Sequence, residues 1–162
     1  MKILIKDLID QLREIQKGKI WIGTNFDKKL DTVNENNAFI RPHKNLHSIA
    51  EILAHLTVWR KETILKINTG KGSITDASEK NWLTNDQLKA TGWMEIKSEY
   101  RNSLNEMIEL LQNKEDDFLK ETYYDIDFKD YFEYRFVIYG MLHHDIYHLG
   151  QLGIISKYLN EK

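Results

Sequence analysis

The chain has 162 residues, 41% of them apolar and 30% charged, with a net charge of −2. That is enough to bury a core in one domain spanning 1–162, and the interspersed charges leave no basic arm or stripe for nucleic acid. The absence of cysteine excludes disulfides, thiolate metal ligands and a cysteine nucleophile, and fits a reducing cytoplasm.

The opening Met1-Lys2-Ile3-Leu4-Ile5 is too short an apolar run for a signal peptide or a membrane anchor, so no membrane partner is expected. A first helix is predicted from about Ile3 to Gln16, with Leu4, Leu8, Leu12 and Ile15 at helical spacing. A shorter helix follows, capped by Thr24 and covering Phe26 to Val33. The polar segment Asn34 to Asn45, which holds the single proline Pro42, reads as a loop. Ser48-Ile49-Ala50-Glu51 is a capping box that opens a second main helix, running to about Asn68 along the stripe Ile49, Ile52, Leu56, Trp59, Thr63, Ile67. Thr69 to Lys80 is a polar loop. Thr84-Asn85-Asp86-Gln87 is a second capping box, predicting a third helix as far as Gln112. Asn113 to Lys129 is mixed, aromatic and acidic, and reads as a crossing loop with short extended pieces. The fourth helix is predicted from about Tyr131 to Leu159. Four amphipathic helices in one domain imply an all-α four-helix bundle, with sites built in its core from facing helices.

The last helix carries the most informative residues. His144 and His148 stand four residues apart, so their imidazoles lie only about 40° apart on one face at about 100° per residue. Val137, Gly140, Met141, Gln151, Leu152 and Ile155 fall within about 80° of His144 on the same wheel. The pair therefore sits on a face that should be buried, where polar groups need partners. Two readings stay open at this point: one helix offering two nitrogens to a divalent metal, or core histidines satisfied by hydrogen bonds.

A third histidine, His55, lies at the edge of the second helix's stripe between Ile52 and Trp59. If the fourth helix is its neighbour, His55, His144 and His148 converge into an open three-nitrogen site for zinc, nickel or a related ion. Such an ion lowers the pKa of its water toward about 7, which supports hydrolysis or activation of a thiol. Asp145 stands where metalloprotease helices carry a glutamate base, but it is shorter and points about 100° away. Gln151 is placed to hydrogen-bond a ligand histidine, and Trp59, one turn from His55, to wall a pocket. Bland roles fit the rest. His143 reads as a surface or packing histidine, His43 and His47 as polar loop residues, and Glu51 as half of its capping box. Trp21, Trp82 and Trp93 read as core anchors.

The segment Gly140-Met141-Leu142-His143-His144-Asp145-Ile146-Tyr147-His148-Leu149-Gly150-Gln151-Leu152 resembles the C-terminal signature of the DinB/YfiT-like family of metalloenzymes. Leu46-His47-Ser48-Ile49-Ala50-Glu51-Ile52-Leu53-Ala54-His55-Leu56-Thr57-Val58-Trp59 resembles the family's segment around the first ligand. Trp21 followed by a short helix is similar to the DUF1572-like branch. The resemblance implies a four-helix DinB-like bundle holding a divalent metal ion, zinc or nickel, on His55, His144 and His148. It implies a homodimer, a small-molecule substrate, and chemistry of the thiol-transferase or hydrolase type. His143, beside a ligand, departs from the usual pattern; only His144 pairs with His148 four residues on. Two rivals remain: a non-catalytic bundle whose histidines hold a structural metal or only hydrogen-bond, and an interaction module that binds a partner through its helix faces.

Overall fold

Both capping boxes form, and they set two helix starts in the computed structural model, which describes residues 1–160. The Ser48 hydroxyl accepts the Glu51 N–H at 3.2 Å, and the Glu51 carboxylate accepts the Ser48 N–H at 2.8 Å. Two orphan donors are thus satisfied at once at the start of a 21-residue helix. Among the described residues the helices are α1 (Ile3–Lys17), α2 (Phe26–Leu30), α3 (Ile49–Thr69), α4 (Asn85–Thr91), α5 (Trp93–Gln112) and α6 (Tyr134–Asn160). A 3-10 segment, Asp116–Lys120, and two strands, β1 (Thr122–Asp125) and β2 (Asp130–Glu133), lie between α5 and α6.

The four long helices surround a common core. α3 packs against α5 and α6, and α1 packs against the same two from the other side. Leu8, Ile52, Leu56, Met107, Ile138 and Leu152 are fully or almost fully buried between them. α1 has no side-chain cap of its own. Asp116 supplies one from a distance, accepting the N–H groups of Ile3, Leu4 and Ile5 at 2.9, 3.0 and 3.0 Å. A carboxylate there also complements the positive end of the helix dipole.

The structure corrects four sequence expectations. The cap of α2 is Asn25, not Thr24: its carboxamide accepts the Lys28 N–H at 2.9 Å and donates to the Gly18 carbonyl at 2.7 Å. The third predicted helix is two helices, because Gly92 adopts φ 87° and ψ 149°, a conformation that side chains with a Cβ disfavour. The last helix begins three residues late, because Tyr131–Glu133 are taken into β2. That strand pairs antiparallel with β1 in the register Thr122↔Glu133, Tyr123↔Phe132, Tyr124↔Tyr131, Asp125↔Asp130. Finally, Trp21 is no core anchor, being 99% exposed, whereas Trp93 is buried and donates its indole N–H to the Val33 carbonyl at 3.2 Å. The hairpin docks on α3, where the Tyr124 N–H reaches the Gly70 carbonyl at 2.9 Å, and its β2 strand runs directly into α6. One end of the α3–α6 seam is thereby roofed.

Candidate metal centre

α3 and α6 bring the three histidines together. His144 Nε2 lies 2.9 Å from the Nε2 atoms of both His55 and His148. The three ring nitrogens fall within 4.8 Å of one another. No other cluster of three metal-ligating side chains occurs among the described residues.

The hydrogen bonds behind the rings decide what those nitrogens present. His55 Nδ1 is 2.9 Å from the Asn81 carbonyl oxygen, and His148 Nδ1 is 2.8 Å from Gln151 Oε1. A carbonyl oxygen can only accept, so each Nδ1 donates and each of these Nε2 atoms faces inward with a lone pair. Both lone pairs converge on His144 Nε2, whose ring has at most one proton to offer them there. The cluster is short of donors, and a cation satisfies all three lone pairs at once. A tetrahedral ion bound at about 2.0–2.1 Å holds its nitrogens about 3.3 Å apart, within the spread seen here. The residues present therefore fit a divalent metal, and a buried cluster of His55, His144 and His148 able to hold one is a property of the fold.

Electrostatics point the same way. Burial lowers the pKa of all three rings, and the neighbouring imidazoles add to it. His144 falls to about 3, from burial first and then His148 and His55. His148 falls to about 4, from burial and then His55. Neutral imidazole is the form that ligates, so at neutral pH no proton has to leave before a metal binds.

The cluster opens into a cavity of about 1150 Å³ lying along the α3–α6 seam beneath the hairpin. On one side Trp82 is sandwiched between two imidazoles, its ring centre 3.7 Å from that of His47 and 3.8 Å from that of His55, all nearly parallel. Trp59 stands edge-on to His55 at 6.4 Å and donates its indole N–H to Asn81 Oδ1 at 2.8 Å. Asn81 thus holds both a ligand ring and the wall beside it. The lining also includes Phe132 stacked on Phe136 at 4.5 Å, with Phe128 against both. A buried ion pair, Lys66 to Asp125 at 2.8 Å, also lines the cavity, with the ammonium 5.9 Å from the Trp59 ring and 5.4 Å from the Tyr123 ring.

Of the residues singled out in the sequence, Gln151 hydrogen-bonds His148 and Trp59 lines the cavity. Asp145 does not line the cavity; its carboxylate turns to Arg60 at 2.7 Å. His143 is exposed at the cavity's edge, outside the three-histidine cluster. His43 is exposed and its Nδ1 accepts the Asn45 N–H at 3.2 Å, a local polar role. His47 does more than a loop residue would, and Trp82 is a pocket wall where a core anchor was expected. Sequence reasoning missed Asn81, Lys66 and Arg60. The two cations carried a signal: each interrupts the mostly buried surface of α3. Asn81, acting through its backbone carbonyl, carried none.

The model of the DinB superfamily matches residues 22–152, a span that includes all three histidines. The chain belongs to the DinB superfamily. The crystal structure of a DinB-like protein (YjoA) from Bacillus subtilis matches this DinB fold with a TM-score of 0.66. That match covers 95% of this chain and 92% of the other at 11% identity, so it speaks for the fold alone. No curated protein matches the chain. For this DinB-superfamily member, the chemistry has to be read from its own site.

Proposed function

We propose that this DinB-superfamily chain is a metal-dependent enzyme acting on a small molecule, with a divalent ion, zinc or nickel, on His55, His144 and His148. The observation that carries the reading is the lone-pair convergence of three neutral imidazoles at the end of an open cavity. Three protein ligands leave positions for water or substrate, the pattern of catalytic rather than structural sites. A divalent ion bound there supplies Lewis acidity and lowers the pKa of a coordinated nucleophile.

The protein's own residues do the rest. Asn81 and Gln151 hold the ligand rings in the inward-facing tautomer. Trp59, Phe132 and Phe136 present apolar surface that suits a substrate with an apolar or aromatic body and keeps water from it. Four carboxylates line the cavity: Asp125 is held by Lys66 and Glu133 by Arg135, while Asp76 and Asp127 have no ion-pair partner among the described residues; none of the four hydrogen-bonds a histidine of the cluster. Transfer of a thiol to a small electrophile is preferred over hydrolysis on chemical grounds, since a thiol needs only a lowered pKa to become a nucleophile.

The same reading takes the four long helices as one four-helix bundle and one domain, working in the cytoplasm as a homodimer. The lack of cysteine supports the compartment. No described helix is long and apolar enough to cross a membrane. The fully exposed Trp21 and half-exposed Ile22 are apolar surface that a second copy could cover. Mixed surface charge supports a small-molecule partner rather than nucleic acid.

Elemental analysis of tag-free protein tests the core of this reading. About one zinc or nickel per chain is expected, lost in His148→Ala. A screen of thiols against alkyl halides, epoxides, esters and amides, with and without chelator, then tests the chemistry. Stoichiometric metal with no chelator-sensitive turnover would leave a non-catalytic metal-binding bundle.

A further inference from the structure

Close to the histidines, α3, α5 and α6 meet at an ion pair sealed from solvent. Arg60 and Asp145 are each 1% exposed, and Arg60 Nη2 donates to Asp145 Oδ2 at 2.7 Å. The same guanidinium donates to the Tyr100 carbonyl oxygen at 3.3 Å and to its hydroxyl at 3.2 Å, and sits 4.3 Å from the Tyr100 ring centre. In sequence Asp145 directly follows His144, and Arg60 stands five residues beyond His55 on α3. Burial raises the Asp145 carboxyl above its ordinary range, and Arg60 opposes that rise; the guanidinium stays charged.

Stability is a poor reason for this arrangement. Arg60 Nε and Asp145 Oδ1 are buried without hydrogen-bond partners. Removing two charges from water costs more than an incompletely satisfied pair returns, and apolar side chains of similar volume often serve as well or better. What an ion pair adds is register. Apolar ridges between helices repack after a small slip at modest cost. A slip of one residue moves a helix about 1.5 Å along its axis and turns the face by about 100°. That would part Arg60 from Asp145 and leave two buried charges unpaired, so the slipped packing is strongly disfavoured. Metal–ligand distances tolerate only about 0.2 Å, so a site split between two helices needs such a lock.

We propose that Arg60 and Asp145 are positioning residues, an ionic register lock that sets α6 against α3 so that His144 and His148 meet His55. The proposal rests on the metal-centre reading but concerns the helices, so it can be measured without a metal. The Arg60→Met/Asp145→Leu double variant removes both charges while roughly keeping volume. Its metal-free form is expected to melt at or above the wild-type temperature. Its zinc affinity, from competition with a chromogenic chelator, should fall about 10-fold or more, and its cobalt(II) visible spectrum should change. A metal-free crystal structure should show His55 Nε2 displaced from His144 Nε2, against 2.9 Å here.

Wild-type zinc affinity with an unchanged cobalt spectrum overturns the proposal. So does a double variant that melts far lower yet keeps the affinity, which would assign the pair to stability alone. If the double variant does not fold, Asp145→Asn decides, because it keeps the shape of the side chain but removes the charge that holds Arg60. A zinc affinity about 3-fold weaker is then expected, and an unchanged one overturns the proposal. If the wild type takes up no metal, the proposed function fails, and the imidazole spacing in the metal-free variants alone decides the lock: an unchanged spacing overturns it.

Discussion

α1 and α5 bury one apolar stripe each, and polar side chains scarcely enter it: Gln16 on α1 and Ser103 on α5. α3 is buried on most sides and α6 along one stripe, and together they put His55, Arg60, Glu62, Lys66, Asp145 and His148 into buried surface. The outer pair does what a helix needs to fold, and the inner pair carries groups whose burial is costly unless each finds a partner. Two partnerships cross the seam, ring to ring and guanidinium to carboxylate, and the Lys66 ammonium finds its carboxylate, Asp125, on β1. Stability and chemistry are thus segregated onto different helices. Substitutions should separate the two.

Removing a ligand breaks the comparison from the α6 side. His148→Ala is expected to weaken zinc binding by about 1,000-fold, one ligand's share of a typical site's binding energy. The metal-free melting temperature should stay within a few degrees of wild type, because the deleted ring belongs to a donor-poor cluster. Competition titration and calorimetry read the two quantities. From the α5 side, Leu111→Ala, at a fully buried position, should cost about 2–5 kcal/mol of stability in urea unfolding. The folded fraction should still take up one metal per chain. A Leu111 variant that loses metal, or a His148 variant that unfolds, would show that the helices do not divide the work.

The same division explains what could be read from the sequence. α1 follows a clean periodicity, and α3 has both periodicity and a capping box; α1 starts and ends within a residue of expectation. His55, His144 and His148 were legible as a possible trio because histidine on a buried face is chemically conspicuous. Their convergence was not, since spacing on one helix says nothing about a neighbour's rotation. The hairpin was invisible because Tyr131–Glu133 continue the apolar pattern of α6, and only pairing with Thr122–Asp125 pulls them out. Asp116 as the cap of α1 joins residues more than a hundred positions apart, beyond any local signal. Asn81 orients His55 with its backbone carbonyl, a group every residue has.

Acid should sharpen the contrast next. The folded pKa values of His144 and His148 lie near 3 and 4, below the unfolded value of about 6.5. As pH falls below 6.5 the unfolded chain takes up protons that the folded rings refuse. Stability from these groups is full above 6.5 and is lost toward 4. Asp125 and Asp116, also held low, titrate mainly below this window. Metal-free protein should therefore lose several degrees of melting temperature between pH 7 and 5, and a His144→Leu variant should lose fewer. An equal slope in both would place the pH dependence elsewhere.

The smallest effect belongs to a residue that touches no metal. Gln151 Oε1 accepts from His148 Nδ1 at 2.8 Å and so keeps Nε2 free as a ligand. Gln151→Leu leaves the α6 surface apolar, so its metal-free stability should hold. The His148 ring then loses the bond that fixes its tautomer and angle, and zinc affinity should fall about 10-fold, the lower end for an outer hydrogen-bond partner. Gln151→Glu sets the sign: a carboxylate at the same place strengthens the Nδ1–H bond and raises the basicity of Nε2. Affinity should return to wild type or exceed it. If both variants weaken binding alike, Gln151 acts by packing against the ring, and His148 needs no hydrogen bond to aim its nitrogen.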